Sequence, residues 1–138
     1  MATPLVPEFA VSDWRTSRRF YCEVLGFEPA YERPEEGFSY LRLGLAELMI
    51  DQISLGRSFE GAFQPESYPF GRGVNLQIMV PHLAPLLAAL AGRDLVMPVE
   101  ERWYRAGGRE LGQRQFTVAD PDGYLLRFAQ DLGHRPAR

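Results

Sequence analysis

The sequence predicts an α+β fold made of two βαβββ modules that bury a shared sheet face. Three observations carry that prediction. Strand-like and helix-like segments run in the order strand–helix–strand–strand–strand, and then the order starts again. Val11 and Val80 hold matching places just before the two helical segments, half the chain apart, and Gly26 and Gly92 stop the two helices in the same way. Finally, Asp120-Pro121-Asp122-Gly123 separates two alternating apolar runs. Pro121 presets φ, the Asp side chains bond nearby backbone N–H groups and Gly123 accepts positive φ, which is hairpin chemistry.

In chain order, Leu5 to Val11 reads as a short first strand, with Pro4 and Pro7 marking an edge or an irregular start. Ser12 or Asp13 caps a helix to Leu25, with Phe20, Tyr21, Val24 and Leu25 as its apolar face and Arg15, Arg18 and Arg19 on the solvated side. Strands are expected over Phe27–Arg33, Phe38–Leu43 and Glu47–Ile53, with turns at Gly37 and Gly44-Leu45-Ala46. Residues 54–73 are too polar and too rich in Gly and Pro for a helix, yet carry Phe59, Phe63, Tyr68 and Phe70. That aromatic content fits a lid over the sheet or a contact with a partner subunit. The second round has a strand Val74–Val80 and a helix His82–Ala91 with Leu83, Leu86, Leu87 and Leu90 on one face. Strands Val96–Tyr104, Gly112–Ala119 and Tyr124–Gln130 complete it. The chain is thus expected to be one domain over 1–138, with module one at about 1–53, a connection at 54–73 and module two at about 74–138.

Composition narrows the function. The chain has 138 residues, a net charge of −3, no lysine and no block of basic residues, which argues against nucleic acid as a partner. Cys22 is alone, so no disulfide within the chain is possible, and a cytoplasmic location is expected. No apolar run is long enough to span a membrane. No Ser, Thr or Cys nucleophile stands at a recognisable spacing from a base.

The order of elements, together with Asp13…Phe20-Tyr21…Leu25-Gly26-Phe27 and Asp120-Pro-Asp-Gly before the last strand, resembles the vicinal-oxygen-chelate superfamily. That superfamily contains glyoxalases, extradiol dioxygenases and bleomycin-resistance proteins. The resemblance implies that the two modules form a curved mixed sheet with a concave ligand cavity. In the enzymes of the superfamily a divalent metal sits there, held by His and carboxylate side chains. Carried onto this sequence, the ligand positions fall on Val6, Asp51, Asn75 and Arg127. An aliphatic, one carboxylate, a neutral amide and a cation neither neutralise nor enclose Zn²⁺ or Fe²⁺. No metal ligand, catalytic residue or cofactor is therefore expected. His82, at a helix start, and His134, in the tail, read as solvated surface residues.

Among branches of the superfamily, the Asp-Pro-Asp-Gly-x-Leu-Leu-Arg run is most similar to the bleomycin-resistance proteins, which lack the metal ligands. The resemblance implies a homodimer that binds a small molecule, a glycopeptide-type or aromatic antibiotic, and confers resistance by sequestering it. The residues expected to line the cavity are Phe38, Tyr40, Asp51, Asn75, Trp103, Tyr104, Arg114 and Arg127. Drug-binding members place a stacking Trp just before the Gly of the penultimate strand, where this chain has Leu111 before Gly112. Trp103-Tyr104 is the expected replacement, and Arg102, Arg105, Arg109 and Arg114 make that side cationic. The alternative reading is a diverged lyase, isomerase or dioxygenase-like enzyme.

Overall fold

The computed structural model describes residues 3–55 and 74–138. These form two compact units divided between Val74 and Asn75, each with its own four-stranded mixed sheet. The expected α+β organisation in two βαβββ modules is what the chain adopts. The aromatic stretch Phe59–Phe70 lies outside the described residues.

In module one, β1 (Glu8–Val11) leads into α1 (Trp14–Arg19), followed by β2 (Glu28–Arg33), β3 (Phe38–Leu43) and β4 (Ala46–Gln52). The sheet order is β1-β4-β3-β2, with β1 parallel to β4 and the other pairs antiparallel. Asp13 caps α1, its carboxylate accepting from Arg15 N–H at 3.3 Å and from the Thr16 hydroxyl at 2.6 Å. The regular helix expected to reach Leu25 instead widens into a π-helical stretch over Phe20–Val24, closed by Leu25 N–H donating to the Phe20 carbonyl at 3.0 Å. That stretch brings Phe20 and Tyr21 inward together, and Tyr21 meets Phe27 edge-on at 5.4 Å.

One face of the module-one sheet carries Phe9, Val11, Leu41, Leu48 and Ile50, all buried beneath the helix. A polar chain pins the helix there. Trp14 Nε1 donates to Ser39 Oγ at 2.7 Å, Ser39 Oγ donates to Glu32 Oε2 at 2.6 Å, and Arg18 grips Glu32 through Nε at 2.5 Å and Nη2 at 2.9 Å. Ser39 is fully buried, so the hydroxyl needs both of its partners.

Module two repeats the plan with β5 (Asn75–Met79), α2 (Ala84–Ala89), β6 (Met97–Ala106), β7 (Arg109–Ala119) and β8 (Leu125–Pro136), in the order β5-β8-β7-β6. β5 runs parallel to β8. Ile78, Phe116, Val118, Leu126 and Phe128 face Leu83, Leu86 and Leu90 of the helical segment, and Leu83 N–H donates to Gln130 Oε1 at 3.0 Å. The hairpin before β8 is held by Asp120, whose Oδ1 accepts from the N–H groups of Asp122 at 2.9 Å and Tyr124 at 2.8 Å.

Several expectations about strand ends change: β1 starts at Glu8 rather than Leu5, and β6 runs on to Ala106 rather than stopping at Tyr104. β8 continues to Pro136, so His134 belongs to a strand and pairs with Leu111. The continuation works because a bulge at the Gly112/Gln113 register shift, with Gly133 at φ 91°, absorbs one extra residue. β7 likewise starts at Arg109 rather than Gly112. The edge strands β2 and β6 each carry a proline at a register shift, Pro29 and Pro98, where a missing N–H costs no ladder bond.

Candidate functional site

Strand pairing assigns every candidate residue to a face. In module one, Phe38 pairs with Asp51 and Tyr40 with Met49, so Phe38, Tyr40 and Asp51 share the face turned away from α1. Tyr31 and Arg33 of β2 join them there, paired with Tyr40 and Phe38. The rings of Tyr31 and Tyr40 stack at 5.1 Å, and the Arg33 guanidinium lies 4.0 Å from the centroid of Phe38. Tyr40 donates its hydroxyl to Glu47, which also accepts from Arg42 at 3.3 Å. The bond to Glu47 pushes the Tyr40 hydroxyl above the usual tyrosine range and holds the Glu47 carboxyl below the usual carboxylate range. Phe38 and Asp51 are both buried. The far face of module one is therefore an aromatic and cationic surface whose groups already hold one another.

The far face of module two differs in kind. Gln77 pairs with Arg127, and Arg127 with Thr117, giving a polar row across β5, β8 and β7. Gln115, Gln113, Glu100 and Tyr104 extend it toward β6. Gln115 Nε2 donates to Glu100 Oε1 at 2.9 Å and to the Tyr104 hydroxyl at 2.7 Å, while Gln113 Nε2 donates to Gln115 Oε1 at 2.5 Å and Gln77 Oε1 at 3.1 Å. Gln115 and Thr117 are only 2% and 4% exposed, and around that buried centre the row opens outward to the exposed Gln77 and Tyr104, on the side of the sheet that carries no helix. Arg127 stands within the row, its Nε buried and without a hydrogen-bond partner among the described residues.

The expected site residues thus divide three ways. Phe38, Tyr40 and Asp51 share one face of module one; Asn75, Tyr104 and Arg127 share one face of module two; Trp103 and Arg114 lie on the opposite, helix side of the module-two sheet. Trp103 is adjacent to Tyr104 on a strand, so the two side chains point to opposite faces. The Trp103 ring lies against Gly112, where a Cβ would come within 2.5 Å of it, and the Arg135 guanidinium covers the ring at 4.1 Å. Its indole N–H donates to Glu101 at 2.9 Å. Arg114 pairs with Gln130 and Glu101 on that same side. Gln77, Gln113, Gln115 and Thr117 escaped the sequence reading. Their signal was the alternation Gln113, Gln115, Thr117 against Arg114, Phe116, Val118, a strand with one apolar and one amide-rich side.

The donor chemistry does not fit a bound metal of the kind the superfamily enzymes use. Of the four positions that the resemblance implies as ligands, Val6 and Asn75 offer no charge, Arg127 is a permanent cation and Asp51 alone is a carboxylate. Among the described residues, no three His, Cys, Asp or Glu side chains are grouped to hold a metal ion. Among these residues also, no helix is long and apolar enough to cross a membrane.

A scan against protein-family models finds no match, and a search of curated proteins finds none either. Solved structures do match. A glyoxalase/bleomycin resistance protein/dioxygenase superfamily member from Vibrio splendidus 12B01 is 35% identical over 92% of this chain and 97% of its own, with a TM-score of 0.38. Virulence protein STM3117 from Salmonella typhimurium is 24% identical over 94% of this chain and 98% of its own, with a TM-score of 0.62. TioX from Micromonospora sp. ML1 is 23% identical over 95% and 100%, with a TM-score of 0.61. The last two likenesses speak to the fold alone.

Proposed function

Because the chain belongs to the glyoxalase/bleomycin resistance protein/dioxygenase superfamily, we propose that it is a small-molecule binding protein that works without a metal. On this reading it sequesters an aromatic, drug-like ligand, as a resistance protein would. The observation that carries the reading is Arg127. By the resemblance it stands where metal-dependent relatives carry a ligand, beside a half-buried row of amides and hydroxyls suited to hydrogen-bonding an organic molecule. On the same face of module two, Asn75 and Tyr104 supply further polar contacts; taken by itself, the far face of module one offers ring faces at Phe38 and Tyr40 and a carboxylate at Asp51. Trp103 and Arg114 do not belong to this set, since they lie on the helix side. We further propose a cytoplasmic homodimer, on the strength of the lone Cys22 and of the sheet edges at β1, β2, β5 and β6 that lack a neighbour within their sheets.

A thermal-shift screen of glycopeptide-type and planar aromatic antibiotics, run with and without divalent metals, tests the proposal. A true ligand at one hundred times its Kd stabilises the folded state by about 2.7 kcal/mol and raises Tm with no metal added. A stoichiometric divalent ion in the purified protein, or binding that appears only with metal, would overturn the reading in favour of a diverged lyase or isomerase. Sedimentation at micromolar concentration tests the dimer.

A further inference from the structure

We propose that the far face of module two recognises an anionic group on the ligand, a carboxylate or a comparable oxyanion, and that Arg127 is the residue that binds it. This rests on the small-molecule binding reading above and names the chemical class of what is bound. Three observations converge on it.

The first is charge. Arg127 is a permanent cation placed mid-strand in β8, between Gln77 of β5 and Thr117 of β7. Its Nε is buried and has no hydrogen-bond partner among the described residues, and none of the described ion pairs includes it. A buried guanidinium N–H without an acceptor is costly, and a carboxylate is an acceptor whose charge and geometry suit a guanidinium.

The second is the neighbours. The acidic groups on this face are directed elsewhere. Glu100, two strands away on β6, accepts from Gln115 Nε2 at 2.9 Å, and Asp131 accepts from the Gly133 N–H at 2.8 Å. The other arginines of the face lie toward its far end: Arg102 is 5.8 Å over the Tyr104 ring, and Arg109 pairs with Ala106 and Pro136 at the start of β7. The cross-strand neighbours of Arg127 are Gln77 and Thr117, and Leu125, Ala129 and Met79 adjoin it on the same face; none of these side chains repels or neutralises an anion.

The third is order. The row Gln77–Gln113–Gln115–Tyr104 is bonded end to end, with donor–acceptor distances from 2.5 to 3.1 Å. Such a row is fixed before a ligand arrives, and preorganised polar groups convert contact into affinity with little ordering cost. It extends from the guanidinium toward β6, so the anion has one anchor and the uncharged remainder of the ligand has several.

The experiment titrates the full-length protein with benzoate, benzamide and benzamidinium, three probes of one shape and three charges. It follows the Arg127 Nε–H signal and the side-chain amide signals of Gln77, Gln113 and Gln115 by ¹H–¹⁵N NMR. Benzoate is expected to move these signals with an apparent Kd about tenfold lower than benzamide, and benzamidinium to leave them in place. Arg127→Gln is expected to abolish the benzoate response, while Arg114→Gln, on the other side of the sheet, keeps it. If Arg127→Gln fails to fold, the wild-type signal map decides the question by itself. Benzamide or benzamidinium binding as tightly as benzoate at these signals would overturn the anion assignment and leave the binding reading standing. Silence of these signals to all three probes would overturn both.

Discussion

Modules one and two share every connection of the βαβββ plan, yet their far faces are made of different chemistry. Module one presents Tyr31, Phe38 and Tyr40 with Arg33 and Arg42 laid over them. Module two presents Gln77, Gln113, Gln115 and Thr117 around Arg127. The helix sides are interchangeable in kind, a layer of Leu, Ile, Val and Phe in each. Backbone topology therefore fixes which positions face away from the helix, and the residues at alternate strand positions decide what that face does. The same scaffold occurs twice in the chain, with different chemistry on the far face of each copy.

The sharpest way to break this comparison is to unseat one core and ask whether the other follows. Phe128 is fully buried and packs at 5.6 Å against Phe116. Phe128→Ala is expected to cost about 4 kcal/mol, measured by urea denaturation. Hydrogen exchange on the same variant then tells whether amides of β1–β4 lose protection with those of β5–β8. Equal loss in both would mean that the modules unfold as one unit.

Glycines separate two kinds of constraint. Gly112→Ala places a Cβ 2.5 Å from the Trp103 ring, so the ring must leave its seat under Arg135, at a cost of about 2 kcal/mol. Gly26→Ala meets no atom within 4 Å, but holds φ at +88°, so backbone strain alone should cost about 1 kcal/mol. Thermal melts of the two variants side by side test that order. Asp120→Ala strands the N–H groups of Asp122 and Tyr124 and is expected to cost about 1.5 kcal/mol by the same melts.

The smallest effect is a pH dependence confined to module one. The hydrogen bonds from Arg18, against the opposing effect of burial, hold the Glu32 carboxyl below the usual carboxylate range. A depressed folded-state value means the contribution is fully present above the unfolded carboxylate value. It is lost as pH falls through the folded one. Stability of the wild type should thus decline below about pH 4.5 more steeply than that of Glu32→Gln, as followed by denaturant midpoints across pH.

Much of this molecule was legible beforehand. Asp13, Gly26 and Asp120-Pro-Asp-Gly are local signals whose chemistry acts within a few residues, so each element they bound lies where expected, to within a few positions. β3 was read to the residue because Gly37 and Gly44 bracket it. The π-helical stretch after α1 was not legible, since it follows from how Phe20 and Tyr21 pack and not from their own preferences. The end of β8 was hidden too, because Gly133 and Pro136 look like breakers when the bulge that accommodates them depends on β7. For the site, period-2 reasoning applied to β6 would already have separated Trp103 from Tyr104. The amide row needed the far side of β7 to be read with the same care as its apolar side.

The seat of Trp103 has a practical consequence. The chain has two tryptophans, Trp14 in module one and Trp103 in module two. Trp14 gives its indole N–H to Ser39 inside the sheet, whereas Trp103 lies between Gly112 and a guanidinium. Each half of the protein thus carries its own fluorophore in a distinct environment. Trp14→Phe and Trp103→Phe variants would each emit from one module alone, giving two optical channels through which ligand arrival and unfolding can be watched half by half.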